Sequence, residues 1–359
     1  MRIALGMSGG IDSSMCAMIL REMGHTVIGI TMAKWSPDSG ILASDKRGCF
    51  GPSEPISLES AKKAAKKIGV EHHVIDLEHE FRDCVLSYYT RDFEEGRTPN
   101  PCIICNREIK FGRLLSKSRE LGISFDLFAT GHYVRIAQDT VSQRYQLLKA
   151  IDSHKDQSYF LGMLSQDQLS NLYFPLGSMK KEEIKALARS KGFEYLEKKK
   201  ESQDFLESFD NSPLFDKESV RPGDFVDING KILGRHQGLI RYTIGQRKGL
   251  GLAGFDSPRY VIGLDKAKNQ VVIGKEEDLY RSSLITSGIN WVSIPEPQTE
   301  FTCEAKVRLA QRPEPCLVRR LDGSRYQVEF QRPISAITPG QLLALYRNDL
   351  VLGAGFIES

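Results

Sequence analysis

The sequence predicts an α/β protein, with a doubly wound parallel sheet followed by a small central β domain and a C-terminal β-barrel. Short apolar runs alternate with amphipathic stretches through the first third of the chain, which is typical of a parallel sheet covered on both faces. A Gly/Ser-rich turn joins the first apolar run to the first amphipathic stretch. After about residue 200 the helical periodicity fades, and short runs separated by Gly, Pro and Asn-Gly turns follow.

The first region contains four predicted strands and four predicted helices. The apolar runs predict strands at residues 2–6, 26–32, 71–77 and 124–133. Amphipathic periodicity predicts helices at residues 12–23, 57–69, 78–94 and 103–121. Ser57 and Ser60 are the candidate N-caps of the second helix, and residues 34–56, which lack periodicity, are predicted to form a long loop.

The second half of the chain predicts two β domains. Its β-like runs lie at residues 224–230, 260–265, 270–274, 304–310, 326–330, 342–347 and 351–358. We therefore divide the chain into an α/β domain at 1–207, a linking β domain at 208–277 and an all-β barrel at 278–359.

Composition favours a cytoplasmic globular protein. The chain has 359 residues, of which 40% are hydrophobic and 26% charged, and no apolar run approaches the roughly 20 residues that span a membrane. The N-terminus lacks the order of a signal peptide. In the cytoplasm the seven cysteines should be reduced, so that pairs of them indicate catalysis or metal binding. A net charge of +3 neither demands nor excludes a nucleic-acid partner.

The turn GMSGGIDSS, residues 6–14, is predicted to bind a phosphate group. Ser8, Gly9 and Gly10 let the backbone close around an anion, and the N–H groups of the following helix face it. No Gly-Lys-Ser/Thr sequence follows, so this is not a Walker A loop. The pattern S-G-G-x-D-S resembles the PP-loop of the ATP pyrophosphatase superfamily, whose members split ATP into AMP and pyrophosphate while adenylating an acceptor.

The PP-loop resemblance implies ATP and Mg²⁺ as cofactors. It implies a pyrophosphate cradle of Ser8, Gly9, Gly10 and Ser13, and a magnesium-holding, catalytic Asp12, since Mg²⁺ prefers carboxylate and phosphate oxygens. The nucleotide-binding residues that it implies are Gly6, Met7, Ser8, Gly9, Gly10, Ile11, Asp12, Ser13, Met32 and Gly131.

Further motifs narrow the family. They occur in the order TPNPCIICNREIKFG (98–112), ATGHYVR (129–135), KDQSYFL (155–161), FPLG (174–177), ESQDF (201–205), YTIGQRKGLG (242–251) and PGQLLALY (339–346). Together they resemble the tRNA-specific 2-thiouridylase family, also called the MnmA or TrmU family, from end to end. The resemblance implies ATP-dependent replacement of the C2 oxygen of a wobble uridine by sulfur.

Two cysteines are candidates for the sulfur chemistry. Adenylation makes the uracil C2 oxygen a good leaving group, and a cysteine persulfide can then deliver sulfur. The cysteine of the N-P-x-x-x-C-N motif is the family's first catalytic residue, which implies that role for Cys105. Cys102 lies three residues earlier, where many members carry Asp.

The resemblance also implies RNA contacts. Asn100, Pro101 and Cys102 match the triplet that borders the target base. The other implied RNA-binding residues are His132, Lys155, Asp156, Gln157, Arg308 and Gln341.

The sequence departs from the family at one catalytic position. The second family cysteine belongs to a segment similar to ESQDFLESF, and the matching residue here is Leu206, which cannot carry sulfur.

Three interpretations of this departure follow. In the first, Cys102 replaces the missing thiol and the C-x-x-C pair delivers sulfur and closes on itself. In the second, Cys102 and Cys105 hold an iron–sulfur cluster with Cys49, or less favourably Cys84, as a third ligand; zinc would offer no route to sulfur transfer.

In the third interpretation the chain is a divergent paralogue that binds ATP and tRNA without thiolation, or adenylates another acceptor. Amidating ligases of the PP-loop type need no cysteines, and the N-P-C-x-x-C-N segment argues against that reaction. As partners, the resemblance implies tRNAs of the Lys, Glu and Gln type and a cysteine desulfurase or sulfur-relay protein, with no membrane.

Overall fold

The computed structural model describes residues 1–46, 48–198 and 204–359. Glu201, Ser202 and Gln203 of the ESQDF motif lie outside the described residues. The strands are β1 (Arg2–Gly6), β2 (Thr26–Ala33), β3 (Gly48–Phe50), β4 (Glu71–Asp76), β5 (Leu127–Thr130), β6 (Val134–Gln138), β7 (Tyr145–Lys149), β8 (Leu172–Tyr173), β9 (Asp204–Leu206), β10 (Gly223–Val226), β11 (Ile232–His236), β12 (Tyr260–Asp265), β13 (Gln270–Gly274), β14 (Tyr280–Thr286), β15 (Phe301–Lys306), β16 (Glu314–Arg320), β17 (Tyr326–Ser335), β18 (Leu342–Arg347) and β19 (Leu350–Phe356).

The α-helices of the described residues lie between residues 11 and 190. They are α1 (Ile11–Glu22), α2 (Glu54–Ile68), α3 (Glu78–Phe81), α4 (Ser87–Glu94), α5 (Pro101–Ile104), α6 (Leu114–Glu120), α7 (Gln166–Ser170) and α8 (Lys181–Ser190). Two π-helical segments, Arg82–Leu86 and Cys105–Arg113, join α3 to α4 and α5 to α6. No helix of the described residues is long and apolar enough to cross a membrane.

A parallel five-stranded sheet organises the first domain, in the order β4-β2-β1-β5-β8. Alternate residues of its strands face opposite sides, as a two-residue period requires. Ile3 and Leu5 of β1 pack with α1, α2 and α8, whereas Ala4 belongs to the core that contains α3 to α6. Both faces are therefore covered by helices, which confirms the predicted doubly wound α/β fold.

The β-rich half forms two further sheets. The central one has four strands in the order β11-β10-β13-β12, around a small core that contains Phe225 and Val261. The C-terminal one has eight strands in the order β14-β17-β16-β15-β18-β19-β7-β6. Two of these eight, β6 and β7, come from the first half of the chain, and Leu350 of β19 pairs with Leu148 of β7. The predicted barrel segment thus forms a sheet that is continuous with the α/β domain.

Two local predictions differ from the structure. Helix α2 begins at Glu54 after the N-cap Ser53, so Ser57 and Ser60 lie inside the helix and the prediction that either caps it is wrong. The reason is tertiary: the buried Glu54 carboxylate accepts the backbone N–H of Lys34 (2.8 Å) and pairs with its ammonium group (2.7 Å), which stabilises an earlier start. The predicted loop at 34–56 also contains β3, which pairs in parallel with β9.

Candidate active site

The expected nucleotide-binding residues meet at the carboxyl edge of the parallel sheet. Gly6 is the last residue of β1, Met32 is the second-to-last residue of β2, and Gly131 directly follows β5. Strands β2, β1 and β5 are neighbours in the sheet, so that residues distant in sequence share one edge. A hypothetical Cβ on Gly131 would lie 3.0 Å from the backbone of Asp12. This edge is where ligands of open parallel sheets bind.

The turn between β1 and α1 is compact and internally hydrogen-bonded. The Ser13 hydroxyl accepts the backbone N–H of Ser8 (3.2 Å) and donates to the carbonyl of Gly10 (3.2 Å). Gly9 has a φ of +68°, and a Cβ there would lie 2.5 Å from the backbone nitrogen of Ala61 in α2. Glycine is therefore required at position 9 both by its conformation and by the close approach of α2. The turn leads into the positive end of α1, which favours an anion.

Asp12 has two partners that the sequence did not reveal. The Lys181 ammonium, at the start of α8, lies 2.7 Å from both carboxylate oxygens of Asp12. The Tyr133 hydroxyl donates to the same carboxylate (2.7 Å). Lys181 lies seven residues after the start of the FPLG motif, but two adjacent lysines at a helix start do not show which one is buried. The site thus combines a carboxylate with a buried cation beside the phosphate-binding turn.

The donor set at this turn is compatible with Mg²⁺. Magnesium in nucleotide sites is held by one or two carboxylates together with phosphate oxygens and water, and Asp12 offers one partly exposed carboxylate. Among the described residues there is no group of three His, Cys, Asp or Glu side chains able to hold a metal ion by themselves. Any magnesium at Asp12 would therefore depend on the phosphates of a bound nucleotide.

The segment before the cysteines is clamped between α4 and the C-terminal sheet. The Gln341 amide donates to the carbonyls of Thr98 (2.9 Å) and Pro99 (3.2 Å), and the Thr98 N–H donates to the carbonyl of Pro339 (2.8 Å). From the other side, the Tyr88 hydroxyl accepts the N–H of Asn100 (3.1 Å). The Gln341 side chain, expected to face RNA, thus holds the loop that leads to Cys102.

Cys102 and Cys105 lie at the beginning of a long helix. Cys102 is the second residue of α5 and half-buried, whereas Cys105 is buried and opens the π-helical segment. Such segments are frequent at functional sites. Burial raises the pKa of Cys102 to about 12 and also raises that of Cys105, while the Lys110 charge opposes both shifts. Both are thiols near neutral pH, so forming a thiolate needs a change in their surroundings, such as a bound substrate or donor.

Lys110 connects the cysteines with the nucleotide edge of the sheet. Its ammonium group donates to the Asn106 side chain (2.8 Å). Its charge also helps burial to hold the pKa of His132 well below the ordinary value. Because His132 follows Gly131 at the end of β5, the cysteine helix lies beside the same sheet edge as the phosphate-binding turn. No sequence pattern distinguishes Lys110 from its neighbouring charged residues.

Leu206 occupies the position of the missing cysteine and is part of the core, with 4% of its surface exposed. It pairs with Phe50 of β3, and Gly48 pairs with Asp204. Cys49 lies between those two pairs and is exposed. A side chain at position 48 would collide with the backbone of Leu206, because a Cβ would lie 2.2 Å from its carbonyl carbon. Gly48 therefore permits the strand that bears Cys49 to lie against residue 206.

The cysteines do not form a ready cluster site. Cys49, Cys102, Cys105 and Cys84 were the expected ligands of an iron–sulfur cluster. The described part of the chain contains no three ligand side chains arranged to hold a metal. The residues as placed do not fit a cluster.

Several expected RNA contacts make internal hydrogen bonds. Asp156 accepts the N–H of Ala150 (3.0 Å), and the Gln157 side chain accepts that of Tyr133 (2.9 Å). Arg308 donates to the Ile244 carbonyl (2.8 Å) and the Thr338 hydroxyl (2.7 Å), which joins the central and C-terminal sheets. These side chains stabilise the walls of the site. Lys155 belongs to the same turn as Asp156 and is half-buried.

His132 is enclosed by aromatic rings. Its ring centroid lies 5.7 Å from that of Phe111 and 6.1 Å from that of Phe174, and its Nδ1 is 2.6 Å from the Thr130 hydroxyl. With its pKa lowered by burial, the imidazole is neutral at physiological pH. It can position neighbours but does not offer a positive charge to a phosphate.

A cavity of about 760 Å³ opens beside the cysteine segment. It lies between the α/β domain and the central β domain, and its walls include Lys46, Pro99, Pro101, Leu206, Phe209 and Arg241. Its size suits a nucleobase with its sugar, and it combines apolar rings with positive charges. Phe209 is 78% exposed, so that a planar group could stack on it.

Gly9→Ala should damage the phosphate-binding turn. The added methyl group meets the backbone of α2 and requires a φ of +68°, so we expect a loss of about 1–3 kcal/mol in unfolding free energy together with weaker ATP binding. Gly10→Ala is the matched control, because φ at Gly10 is −92° and the nearest atom to its Cβ is the Ser8 hydroxyl oxygen at 3.5 Å. Urea unfolding of both variants measures the difference, and equal stabilities would contradict this account of the turn.

His132 should make the fold sensitive to acid. Its lowered pKa means that the folded protein stays unprotonated at His132 while the unfolded chain takes up a proton below about pH 6.5. Stability should therefore fall as pH decreases through that value, by about 1.4 kcal/mol per pH unit from this residue. The variant His132→Gln should lack this pH-dependent contribution to the unfolding free energy. Unfolding free energies of both proteins between pH 7.5 and 5.5 test it, and parallel curves would show that His132 is not neutral in the fold.

Comparison with known proteins places the chain in a family. The family descriptions "tRNA methyl transferase HUP domain", "tRNA methyl transferase PRC-barrel domain" and "Aminomethyltransferase beta-barrel domain" match residues 1–206, 214–275 and 281–357. The tRNA-specific 2-thiouridylase MnmA 2 of Thermoanaerobacter sp. (strain X514) is 44% identical over 363 residues, which cover 99% of this chain and 98% of that protein.

Two further relatives agree. The tRNA-specific 2-thiouridylases MnmA of Endomicrobium trichonymphae and Carboxydothermus hydrogenoformans are 42% and 40% identical, over 99% of this chain and 99% and 97% of theirs. With identity of this degree along its whole length, the chain belongs to the tRNA-specific 2-thiouridylase family.

Proposed function

We propose that this protein is a tRNA-uridine 2-sulfurtransferase, which uses ATP to adenylate the C2 oxygen of a wobble uridine and then replaces that oxygen by sulfur. The observation that carries the proposal is the C-x-x-C pair, Cys102 and Cys105, at the start of a helix beside the phosphate-binding edge of the sheet. Membership of the family supports ATP as the cofactor and tRNA as the substrate.

Adenylation uses the charges at the turn between β1 and α1. The uracil oxygen attacks the α-phosphorus of ATP, pyrophosphate leaves, and N3 of the base loses its proton. Asp12 would hold Mg²⁺, which would neutralise charge on the phosphates. The Gly9–Gly10 backbone and the N-terminus of α1 bind the pyrophosphate, and Lys181 supplies a further positive charge where phosphate charge develops. Gly6, Met32 and Gly131 surround the nucleotide at the ends of their strands.

Sulfur transfer uses the two cysteines in turn. The terminal sulfur of a persulfide on Cys102 attacks C2, and AMP leaves with the original oxygen. The Cys105 thiolate then attacks the protein-bound sulfur of the resulting disulfide. The S–S bond breaks, sulfur stays on C2 as the thiocarbonyl, and a Cys102–Cys105 disulfide forms. A dithiol reductant returns that disulfide to two thiols. We derive no step through an iron–sulfur cluster, because the described side chains do not fit one.

The target base would enter the cavity beside Pro99 and Pro101. Asn100, Pro101 and Cys102 border it, and Gln341 keeps this segment in place through the carbonyls of Thr98 and Pro99. We propose that Lys155 contacts RNA phosphate, and that Asp156, Gln157, His132 and Arg308 position the surrounding surface. The comparisons offer no support for a paralogue without thiolation, although Leu206 requires another source for the second thiol.

Two partners belong to the proposal beyond the tRNA itself. We expect wobble-uridine tRNAs of the Lys, Glu and Gln type, and a cysteine desulfurase or sulfur-relay protein as the donor. Because the reaction needs reduced thiols and tRNA, we expect it in the cytoplasm.

Loss of either cysteine should abolish thiolation. Purified protein would be incubated without oxygen with unmodified tRNA, Mg-ATP, glutathione persulfide and dithiothreitol, and 2-thiouridine measured by mass spectrometry. We expect product from the wild type and from Cys84→Ser, a control whose thiol is partly exposed and lies outside the C-x-x-C pair. Cys102→Ser and Cys105→Ser should give none. Equal product from all four proteins would exclude the C-x-x-C pair from the reaction, and no product from a folded, ATP-binding wild type would contradict the proposed function.

Lys181 should act in adenylation and not in RNA binding. Removal of one charge that stabilises a phosphoryl-transfer transition state costs about 100-fold in rate, so Lys181→Met should slow tRNA-dependent AMP release by about that factor. Its tRNA dissociation constant should not change. The control is Lys180→Met, because Lys180 is exposed. Equal rates for the two variants would show that the Lys181–Asp12 pair is structural only.

A further inference from the structure

We infer that Cys49 is the thiol through which sulfur enters the site, in place of the cysteine that Leu206 replaces. Cys49 receives a sulfane sulfur from the donor and passes it to Cys102. This inference rests on the proposed function. Neither cysteine of the C-x-x-C pair is exposed, so the inference assigns the acceptance of sulfur from the donor to Cys49 of β3, which is exposed.

The position of Cys49 follows from the pairing of two short strands. Cys49 lies between the pairs Gly48–Asp204 and Phe50–Leu206, so that it is next to the segment of the missing cysteine. Three aromatic rings fix this pairing: Phe50 stacks on Phe205 with centroids 6.0 Å apart, and on Phe81 at 5.3 Å. Phe50, Leu206 and Cys105 all belong to one continuous core. The strand is thereby held against the body of the α/β domain.

One cavity connects the segment of residue 206 with the loop before Cys102, because Asp204, Phe205 and Leu206 line it together with Pro99 and Pro101. After burial, the charge of Cys49 is the largest cause that raises the pKa of Cys102, ahead of the charge of Cys105. This interaction agrees with the geometry, because β3, which carries Cys49, pairs with β9, and β9 lines the same cavity as the segment before Cys102.

The exposure of the three thiols decreases in the order in which a sulfur relay would use them. Cys49 is exposed, Cys102 is half-buried and Cys105 is buried. A donor that is a protein can reach only the first of these directly. The Lys34 ammonium interacts with both Cys49 and Cys105, and it is fixed by its ion pair with Glu54 at 2.7 Å. A fixed positive charge therefore lies near the thiol at which sulfur would enter.

The transfer of sulfur from the donor through Cys49 to Cys102 is balanced in atoms and electrons, and it needs no oxidant. The Cys49 thiolate attacks the outer sulfur of a donor persulfide, the donor thiolate leaves, and Cys49 carries the sulfane sulfur. The Cys102 thiolate attacks that outer sulfur, the bond to Cys49 breaks, and Cys49 leaves as a thiolate. Cys102 then bears the persulfide used in the proposed reaction, and Cys105 closes on it as described above. No electrons are gained or lost until the final disulfide forms.

The first test locates the sulfur. Full-length protein is treated with glutathione persulfide without oxygen, alkylated, digested and mapped by mass spectrometry. In Cys102→Ser the next acceptor is absent, so the additional sulfur atom should accumulate on Cys49. In Cys49→Ser, labelling of Cys102 should decrease strongly. Unchanged labelling of Cys102 in Cys49→Ser, or label on Cys84 equal to that on Cys49, would overturn the inference.

The second test examines the contact between the two thiols. In Cys105→Ser, mild oxidation should join Cys49 to Cys102 in a disulfide that peptide mapping detects. Failure to form it, under conditions in which the wild type forms the Cys102–Cys105 disulfide, would show that Cys49 cannot reach Cys102. This measurement needs no activity.

The third test separates the relay from the rest of the reaction. With glutathione persulfide, Cys49→Ser should make 2-thiouridine about 100-fold more slowly than the wild type, because the positioned acceptor is lost. With excess inorganic sulfide, which attacks the adenylated base directly, its rate should be within about twofold of wild type. Equal rates of the two proteins with persulfide would overturn the relay. Absence of product from the wild type with either source would instead contradict the proposed function, while the sulfur mapping would still decide on Cys49.

Discussion

Every proposed reactive group depends on one constraint, the parallel pairing that brings the carboxyl ends of β2, β1 and β5 to one edge. Parallel strands end at the same side of a sheet, so that loops far apart in sequence meet there. The turn before α1, Met32 and Gly131 are neighbours only for this reason. The cysteine helix is joined to the same edge by Lys110, whose charge acts on His132, Cys102 and Cys105.

The remaining domains act on that edge through a few specific contacts. The C-terminal sheet takes two strands from the α/β domain, and its Gln341 holds the carbonyls of Thr98 and Pro99. Arg308 connects it to the central β domain. The C-terminal sheet, which we propose to bind RNA, is thus connected by side-chain hydrogen bonds to the loop that carries Cys102. We expect tRNA that binds across these domains to move that loop and so to change the burial that raises the pKa of both cysteines.

The parts that the sequence predicted are those with a local signal. The strands at 2–6, 260–265, 270–274 and 342–347 agree with the structure because their apolar patterns are regular, and the turn at 6–14 has its own spacing of Ser and Gly. Strands β6 and β7 pair with each other as a local hairpin, which the sequence analysis did not predict. Its place in the C-terminal sheet depends on the pairing of β7 with β19, some 200 residues further along the chain, for which the sequence has no local pattern.

The site contains features for which a sequence has no local signal. Lys180 and Lys181 are adjacent lysines in the sequence, and the structure alone shows that Lys181 is the one buried against Asp12. Strand β3 has three residues, too few for a periodic pattern, and its partner β9 is more than 150 residues away. The family resemblance identified Leu206 as a departure, but only the pairing of those strands shows that another cysteine lies beside it.

In the proposed reaction, this chain adenylates the uridine oxygen before sulfur replaces it. The most direct measurement uses tRNA with ¹⁸O at C2 of the wobble uridine, incubated with Mg-ATP and glutathione persulfide, and follows the label by mass spectrometry. Each 2-thiouridine that forms should be accompanied by one AMP that carries ¹⁸O, because the adenylated oxygen leaves with AMP. Formation of 2-thiouridine with unlabelled AMP, or AMP release without loss of ¹⁸O from the tRNA, would contradict it.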